Sequence, residues 1–303
     1  MTVRFVTTDV FTTVRFGGNP LAVVPDARGL TDQAMRQLAR EFSLSETVFV
    51  LPPNDPKNPR RLRIFTPDAE LPFAGHPTLG AAFVLVELGY IPAVGDEMQV
   101  VFEEGVGPIR VNVNLKDGHP LSMQLESKKA PEFGPDIRDP KLLAELLNLS
   151  AAEIEVSSLQ PKQVSCGVPF QVIPLRTREA LRRARLNHQV WEEHFRGSWA
   201  PQIYPIAWED ETRSTIAVRM FGPALGIAED PATGAGATAL AGYLASYEGP
   251  TATGAFRWTV HQGHEIGRPS TLEIEAEVSF GAVKALRVGG RAVMVSEGQI
   301  FND

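Results

Sequence analysis

Thiol is what this chain has least of. A single cysteine, Cys166, occurs in 303 residues, which excludes an internal disulfide and any centre built on several thiolates. Long apolar runs are missing too. The longest, Leu79 to Val86, falls far short of the roughly 20 residues of a membrane-spanning helix. The opening stretch, Met1 to Phe11, contains an acid and lacks the charged-then-apolar layout of a secretory signal, so a cytoplasmic protein is expected. Positive charge is also scarce: 29 Lys and Arg stand against 36 Asp and Glu, for a net charge of -7. No basic cluster stands free of acidic neighbours, which argues against nucleic acid or an anionic membrane as partner and leaves a small molecule. Three catalytic signatures are absent as well. There is no Gly-x-Ser-x-Gly elbow and no Gly-Lys-Ser/Thr phosphate loop, and Gly234-Ala-Gly236 lacks the rest of a dinucleotide fingerprint.

What is present is core. With 43% hydrophobic and 21% charged residues, the chain has the composition of a folded protein, and its length suits two domains. Two stretches share a spacing: Gly18-Asn-Pro-Leu-Ala-Val-Val-Pro25 lines up with Gly167-Val-Pro-Phe-Gln-Val-Ile-Pro174. Further on, Arg63-Ile-Phe-Thr-Pro67 matches Arg219-Met-Phe-Gly-Pro223 in the same order. Collinear matches with nearly constant offset are expected of an internal duplication. The spacing predicts halves at 1–117 and 118–287, with Lys128 to Lys141 as the joint region.

Strands are expected at Val3–Val10, Leu21–Val24, Thr47–Leu51, Leu62–Phe65, Met98–Phe102, Ile109–Val113, Ile216–Met220, Leu272–Val278 and Ala292–Ser296. Helical patterns run from Leu30 to Phe42 and from Glu179 to Phe195. Two further helices, Thr78–Leu88 and Ala235–Tyr247, lack a polar face altogether. A helix apolar all round must be covered on every side. The expected class is therefore α+β: two pseudo-symmetric domains, each a curved, mostly antiparallel sheet around a central helix.

His76-Pro77-Thr78 and Asp230-Pro231-Ala232-Thr233 precede these helices in the same manner. Each is read as a polar cap followed by Pro at the first helical position. Helix starts carry unpaired N–H groups and partial positive charge, so two starts converging on one cleft would suit an anion. Glu46 stands where a helix hands over to an apolar strand. His261-Gln-Gly-His264 with Glu265 has poor ligand spacing and no third strong ligand nearby, so no metal site is expected.

Six ordered motifs cover nearly the whole chain: Phe16-Gly-Gly-Asn-Pro-Leu-Ala-Val23, Leu44-Ser-Glu-Thr47, Arg63-Ile-Phe-Thr-Pro67, Leu71-Pro-Phe-Ala-Gly-His-Pro-Thr78, Glu229-Asp-Pro-Ala-Thr-Gly234, and Gln262-Gly263 with Gly267-Arg-Pro-Ser270. Together they resemble the PhzF family of phenazine biosynthesis. The resemblance implies a diaminopimelate epimerase-like fold, a homodimer, and a final strand, about 288–303, that returns to the first domain. It implies an isomerase without metal or organic cofactor, acting on a small anionic substrate. Glu46 would be the acid/base that moves a proton between two carbons, with His76 and Asp230 holding the substrate and assisting. Gly75 and the helix starts, with Thr233, Gly234 and Ala235, would bind it.

A raised carboxyl pKa in an apolar site would serve such a shift, and Phe42, Phe49 and Phe73 are the expected wall. Where the phenazine enzyme has a substrate-contacting serine, this chain has Ala235. Losing a hydroxyl at a site built to use it changes substrate preference, which argues against the phenazine precursor itself. Two alternatives stand beside this reading. One is a cofactor-independent epimerase or racemase working through carboxylate and His bases, since Cys166 alone cannot supply a cysteine pair. The other is a binding protein that kept the cleft and lost the chemistry.

Overall fold

A computed structural model describes residues 2–127, 129–135 and 139–301. Its contacts divide the chain into two units, Met1–Glu126 with Gly289–Asp303, and Ser127–Val288.

The first unit contains β1 (Thr2–Val10), β2 (Asn19–Val24), α1 (Asp32–Phe42), β3 (Glu46–Leu51), β4 (Arg60–Phe65), the two-residue β5 (Glu70–Leu71), α2 (Gly75–Glu87), β6 (Glu97–Glu104), β7 (Gly107–Lys116) and β8 (His119–Ser127). The second contains β9 (Glu132–Phe133), α3 (Pro140–Leu146), β10 (Lys162–Ser165), β11 (Pro169–Pro174), α4 (Arg178–Arg183), α5 (His188–His194), β12 (Gln202–Trp208), β13 (Thr215–Val218), α6 (Gly234–Ala245), β14 (Gly254–Gln262), β15 (Ser270–Ser279) and β16 (Ala282–Gly290). The last strand, β17 (Ala292–Phe301), pairs antiparallel with β1 from Thr2↔Phe301 to Val10↔Ala292.

Both units repeat one pairing series. In the first, β1 and β2 are antiparallel, β2 and β3 parallel, β3 and β4 antiparallel, β4 and β6 parallel, and β6 and β7 antiparallel. In the second, the same alternation runs through β10, β11, β12, β13, β14 and β15. The unit boundary falls after Glu126 rather than after Asp117, because β8 pairs with β7 from Val111↔Leu125 to Lys116↔His119. Part of the expected joint, at Lys128 and 136–138, lies outside the described residues.

Each sheet wraps a helix. Every residue of α2 from His76 to Val86 is buried, and the helix touches β1, β2, β3, β7 and β17. In α6 all residues from Gly236 to Ala245 are buried against β10, β11, β14 and β15. Each fully buried Val, Leu or Phe side chain contributes about 1.5–3 kcal/mol, so two all-apolar helices are the main source of cohesion. A conventional amphipathic layer lies outside. In α1, capped by the Thr31 hydroxyl, the stripe Ala34, Met35, Leu38 and Ala39 packs on Val24, Phe49, Leu51 and Phe65.

The expected helix from Glu179 to Phe195 is two helices. Arg219, itself 3% exposed, donates to the carbonyls of Leu181, Arg182 and Ala184. These carbonyls lie where α4 stops, and the chain turns extended at Ala184.

The two halves share one further device. Arg63 binds Glu70 through two bonds of 2.7 Å, and Arg219 binds Glu229 through bonds of 2.8 and 2.6 Å. Each guanidinium also lies over the Phe two residues on, at 5.1 Å for Phe65 and 4.9 Å for Phe221. Glu70 precedes the start of α2 at Gly75, and Glu229 precedes the start of α6 at Gly234, by the same number of residues.

The close approach of strand to central helix is tightest at Gly80, where a Cβ would come within 2.5 Å of Leu21 and 2.9 Å of Val10. Gly80→Val is expected to destabilise the protein by about 1–3 kcal/mol, the usual cost of overpacking. Urea denaturation with an unchanged slope and a lowered midpoint is the check.

Candidate active site

Glu46 opens β3 and is set in register opposite Leu21 of β2. Strand side chains alternate. Phe49 and Leu51 join the α1 layer, so Glu46, with Val48 and Val50, takes the other face, toward α2. There the Glu46 side chain is 15% exposed, and its Oε2 lies 3.4 Å from His76 Nε2.

His76 is the second residue of α2 and is buried. Burial pushes its pKa down to about 3, so the imidazole is neutral at physiological pH. The two residues are therefore a carboxyl group beside a neutral ring, and not an ion pair. Directly before them Gly75 leaves the helix tip open: a Cβ there would meet nothing nearer than Leu125 at 3.9 Å. Gly75 and His76 present N–H groups at that tip, while Pro77, third in the helix, has none.

The expected aromatic wall is not formed by the three phenylalanines. Phe49 packs edge-on against Phe65 in the α1 layer, Phe42 packs on Phe5, and Phe73 is 40% exposed. The alternation of β3 puts Phe49 and Glu46 on opposite faces.

In the second unit Asp230 is also buried, but it does not cap α6. The helix starts at Gly234 after Thr233, and neither Ala74 nor Thr233 makes a side-chain cap hydrogen bond. Pro77 and Pro231 therefore do not occupy first helical positions. Measured from the helix starts, the counterpart of His76 is Ala235, which is exposed at the tip.

Asp230 belongs to a loop held by a residue without a predicted role. Gln262, 1% exposed, donates from Nε2 to the Asp230 carbonyl at 2.7 Å and to the Thr233 hydroxyl at 3.0 Å, and accepts from the Thr233 N–H at 3.1 Å. The Thr233 hydroxyl in turn donates to Asp230 Oδ2 at 2.5 Å. Ser270 donates to the Pro231 carbonyl at 2.8 Å. Gly263 has a φ of +78°, and a Cβ there would sit 2.6 Å from that same carbonyl. The signal was in the sequence as Gln262-Gly263 and Ser270. Their partner loop lay some thirty residues earlier.

His261 contacts the Glu209 carboxylate at 2.6 Å and lies edge-on to His264. Among the described residues, no three His, Cys, Asp or Glu side chains are placed together to hold a metal ion. Also among them, no helix is long and apolar enough to cross a membrane.

Comparison with known proteins extends over the same ground. The sequence model of the PhzC-PhzF family, described as phenazine biosynthesis-like protein, matches residues 8–298. An uncharacterized isomerase of Mesorhizobium japonicum is 43% identical over 97% of both chains. The trans-2,3-dihydro-3-hydroxyanthranilate isomerase of Pseudomonas aeruginosa is 33% identical over 98% of this chain and 99% of its own. Among solved structures, a PhzF-family phenazine biosynthesis protein of Bacillus anthracis superposes with a TM-score of 0.86 at 25% identity, covering all of both chains. The α+β, diaminopimelate epimerase-like class expected from the sequence is the class found.

The neutral state of His76 has a measurable consequence. An unfolded His takes up a proton near pH 6.5, whereas the folded one resists until about 3. The unfolded state therefore binds more protons throughout that window, and stability is lost as pH falls through it. Between pH 7.5 and 5 the wild type is expected to lose about 2 kcal/mol more than His76→Gln. Urea melts of both proteins at the two pH values check this.

Proposed function

The chain belongs to the PhzC-PhzF family of phenazine biosynthesis-like proteins and is an isomerase, and on that premise we propose that it moves a proton between two carbons of a small carboxylate-bearing substrate. Glu46 is the acid/base. The observation that carries this reading is the Glu46–His76 pair: a mostly buried carboxylate 3.4 Å from an imidazole that burial keeps neutral. A protonated neighbour would cancel the carboxylate's charge and weaken it as a proton acceptor. A neutral one leaves that charge in place and offers a hydrogen bond as the proton changes carbon.

Each helix start carries groups suited to binding. The N–H groups of Gly75 and His76, and those of Gly234 and Ala235, suit anionic oxygens of the substrate. Asp230, fixed by Thr233 and Gln262, suits an amine or hydroxyl. The methyl of Ala235 offers no hydrogen bond, which favours a substrate with no polar group to satisfy there. This chemistry requires no metal or organic cofactor. The same reading takes the protein as a cytoplasmic homodimer acting on a small anion, without nucleic-acid or membrane partners.

Epimerisation by two opposed bases is the weaker reading. The register position that Glu46 fills opposite Leu21 is filled in the second unit by Gln202, opposite Phe170. An amide cannot exchange protons at neutral pH. His76 likewise has only Ala235 as its counterpart, so the second unit repeats neither group, and an opposed base there would have to be Asp230, whose carboxylate already accepts from the Thr233 hydroxyl.

The test is carbon-bound deuterium. Incubated in deuterated water with trans-2,3-dihydro-3-hydroxyanthranilate and other small unsaturated cyclic carboxylates, the protein is expected to label one of them at carbon. Glu46→Gln should slow labelling by about 10² to 10⁴ with ligand affinity retained. Labelling at the wild-type rate in that variant would remove Glu46 from the mechanism.

A further inference from the structure

One buried acid plays no part in the reading above. Glu104 ends β6 and is 9% exposed. Its Oε1 lies 2.7 Å from the hydroxyl of Thr78, and that hydroxyl is also 2.7 Å from the carbonyl of Ala74. Ala74 and Thr78 bracket the first turn of α2, with Gly75 and His76 between them.

Proton counting makes this arrangement informative. A threonine hydroxyl has one hydrogen and therefore donates to one acceptor at a time. If it bonds the Ala74 carbonyl, its oxygen must accept from Glu104, which then carries a proton. If Glu104 is ionised, the hydroxyl turns to the carboxylate and the Ala74 carbonyl loses that bond. Both short contacts coexist as true hydrogen bonds only when the carboxyl is neutral.

We infer that Glu104 is a positioning residue that, as a neutral acid, tightens the first turn of α2 through Thr78 and on ionisation leaves it to the backbone bond from Thr78 N–H to the Ala74 carbonyl alone.

The surroundings favour the neutral form. The second oxygen, Oε2, is fully enclosed and has no hydrogen-bond partner, a severe position for a charged carboxylate. Desolvation pushes the carboxyl pKa up to about 7, against the smaller opposing effect of Thr78. The charged groups around it, on its own strand and on β4 and β5, are engaged elsewhere. Arg61, Arg63 and Glu70 line the same 480 Å³ cavity as Glu104. Arg63 is engaged by Glu70 and Asp32, and Arg61 donates to Asn54 Oδ1 at 3.2 Å. Glu103, next to Glu104, accepts from the Asn54 and Asp55 N–H groups and the Asn58 amide. On α2 the nearest titratable group is His76, already neutral. The segment ahead of α2 is pinned at its other end, where Val106 N–H donates to the Pro72 carbonyl at 3.2 Å. A Cβ on Gly105 would sit 2.8 Å from Pro72 Cα. Glu104 therefore acts on a short segment fixed on one side.

The consequence for turnover rests on the role proposed for His76, but the device itself does not, and it can be tested without substrate. Carbon-13 NMR of the glutamate carboxyls, with amide spectra recorded from pH 5 to 9, is the measurement. Glu104 is expected to titrate near pH 7, with the His76 and Thr78 amide resonances moving at the same midpoint. Glu104→Gln can donate from its amide as the neutral acid does. It should abolish that movement and leave both amides at their low-pH positions, whereas Glu104→Leu should displace them at every pH. Titration of Glu104 below pH 5, or helix amides indifferent to its titration, would overturn the inference. Neither result depends on whether Glu46 is the base.

Discussion

The bond between an arginine near or just past the end of a strand and a glutamate just ahead of a central helix is the constraint on which both halves depend. Arg63 with Glu70, and Arg219 with Glu229, fix where the chain leaves the sheet and enters the buried helix. The helices cannot fix this themselves. An all-apolar helix has no preferred face and could rotate or slide within its sheet at little cost in hydrophobic energy. Two parallel charge-assisted bonds impose direction as well as distance, and the aromatic ring beneath each guanidinium restricts it further. In the second half the pair is more deeply buried, at 3% and 10% side-chain exposure against 19% and 32% in the first. Arg219 has also taken over the end of α4. The clamp with the larger structural burden is the one more fully removed from water.

From this shared frame the two halves diverge. The first places a carboxylate and a neutral imidazole at corresponding ends of β3 and α2. The second has Gln202 and Ala235 in those positions, and its Asp230 is set in a loop that Gln262 braces. At these two matched positions the duplicated architecture differs chemically, with a carboxyl group and an imidazole in the first unit and an amide and a methyl in the second.

Much of the architecture was legible in the chain because its determinants are local. The Gly-x-Pro and Arg-x-Phe-x-Pro spacings lie within single turns and strands, and the absence of a polar face in α2 and α6 is itself a statement of burial. What could not be read depends on partners distant in sequence. The break between α4 and α5 is made by Arg219, beyond two further strands' worth of chain. Asp230 looks like a helix cap until Gln262 is seen holding its carbonyl and the Thr233 amide. Phe49 seems close to Glu46 in sequence, yet the pleat of β3 sends it into the α1 layer. Glu104 carries no motif at all, and only its contact with Thr78 distinguishes it from any strand-terminal glutamate.

The pairing of β17 with β1 has a consequence for how the protein is made. During synthesis β1 emerges before the whole of the second unit, while its antiparallel partner β17 emerges after it. The second unit, Ser127–Val288, is contiguous and can close on itself before that moment. The first unit is therefore completed only after the second, and one edge of β1 waits unpaired while the intervening chain is made, when such edges are prone to pair wrongly.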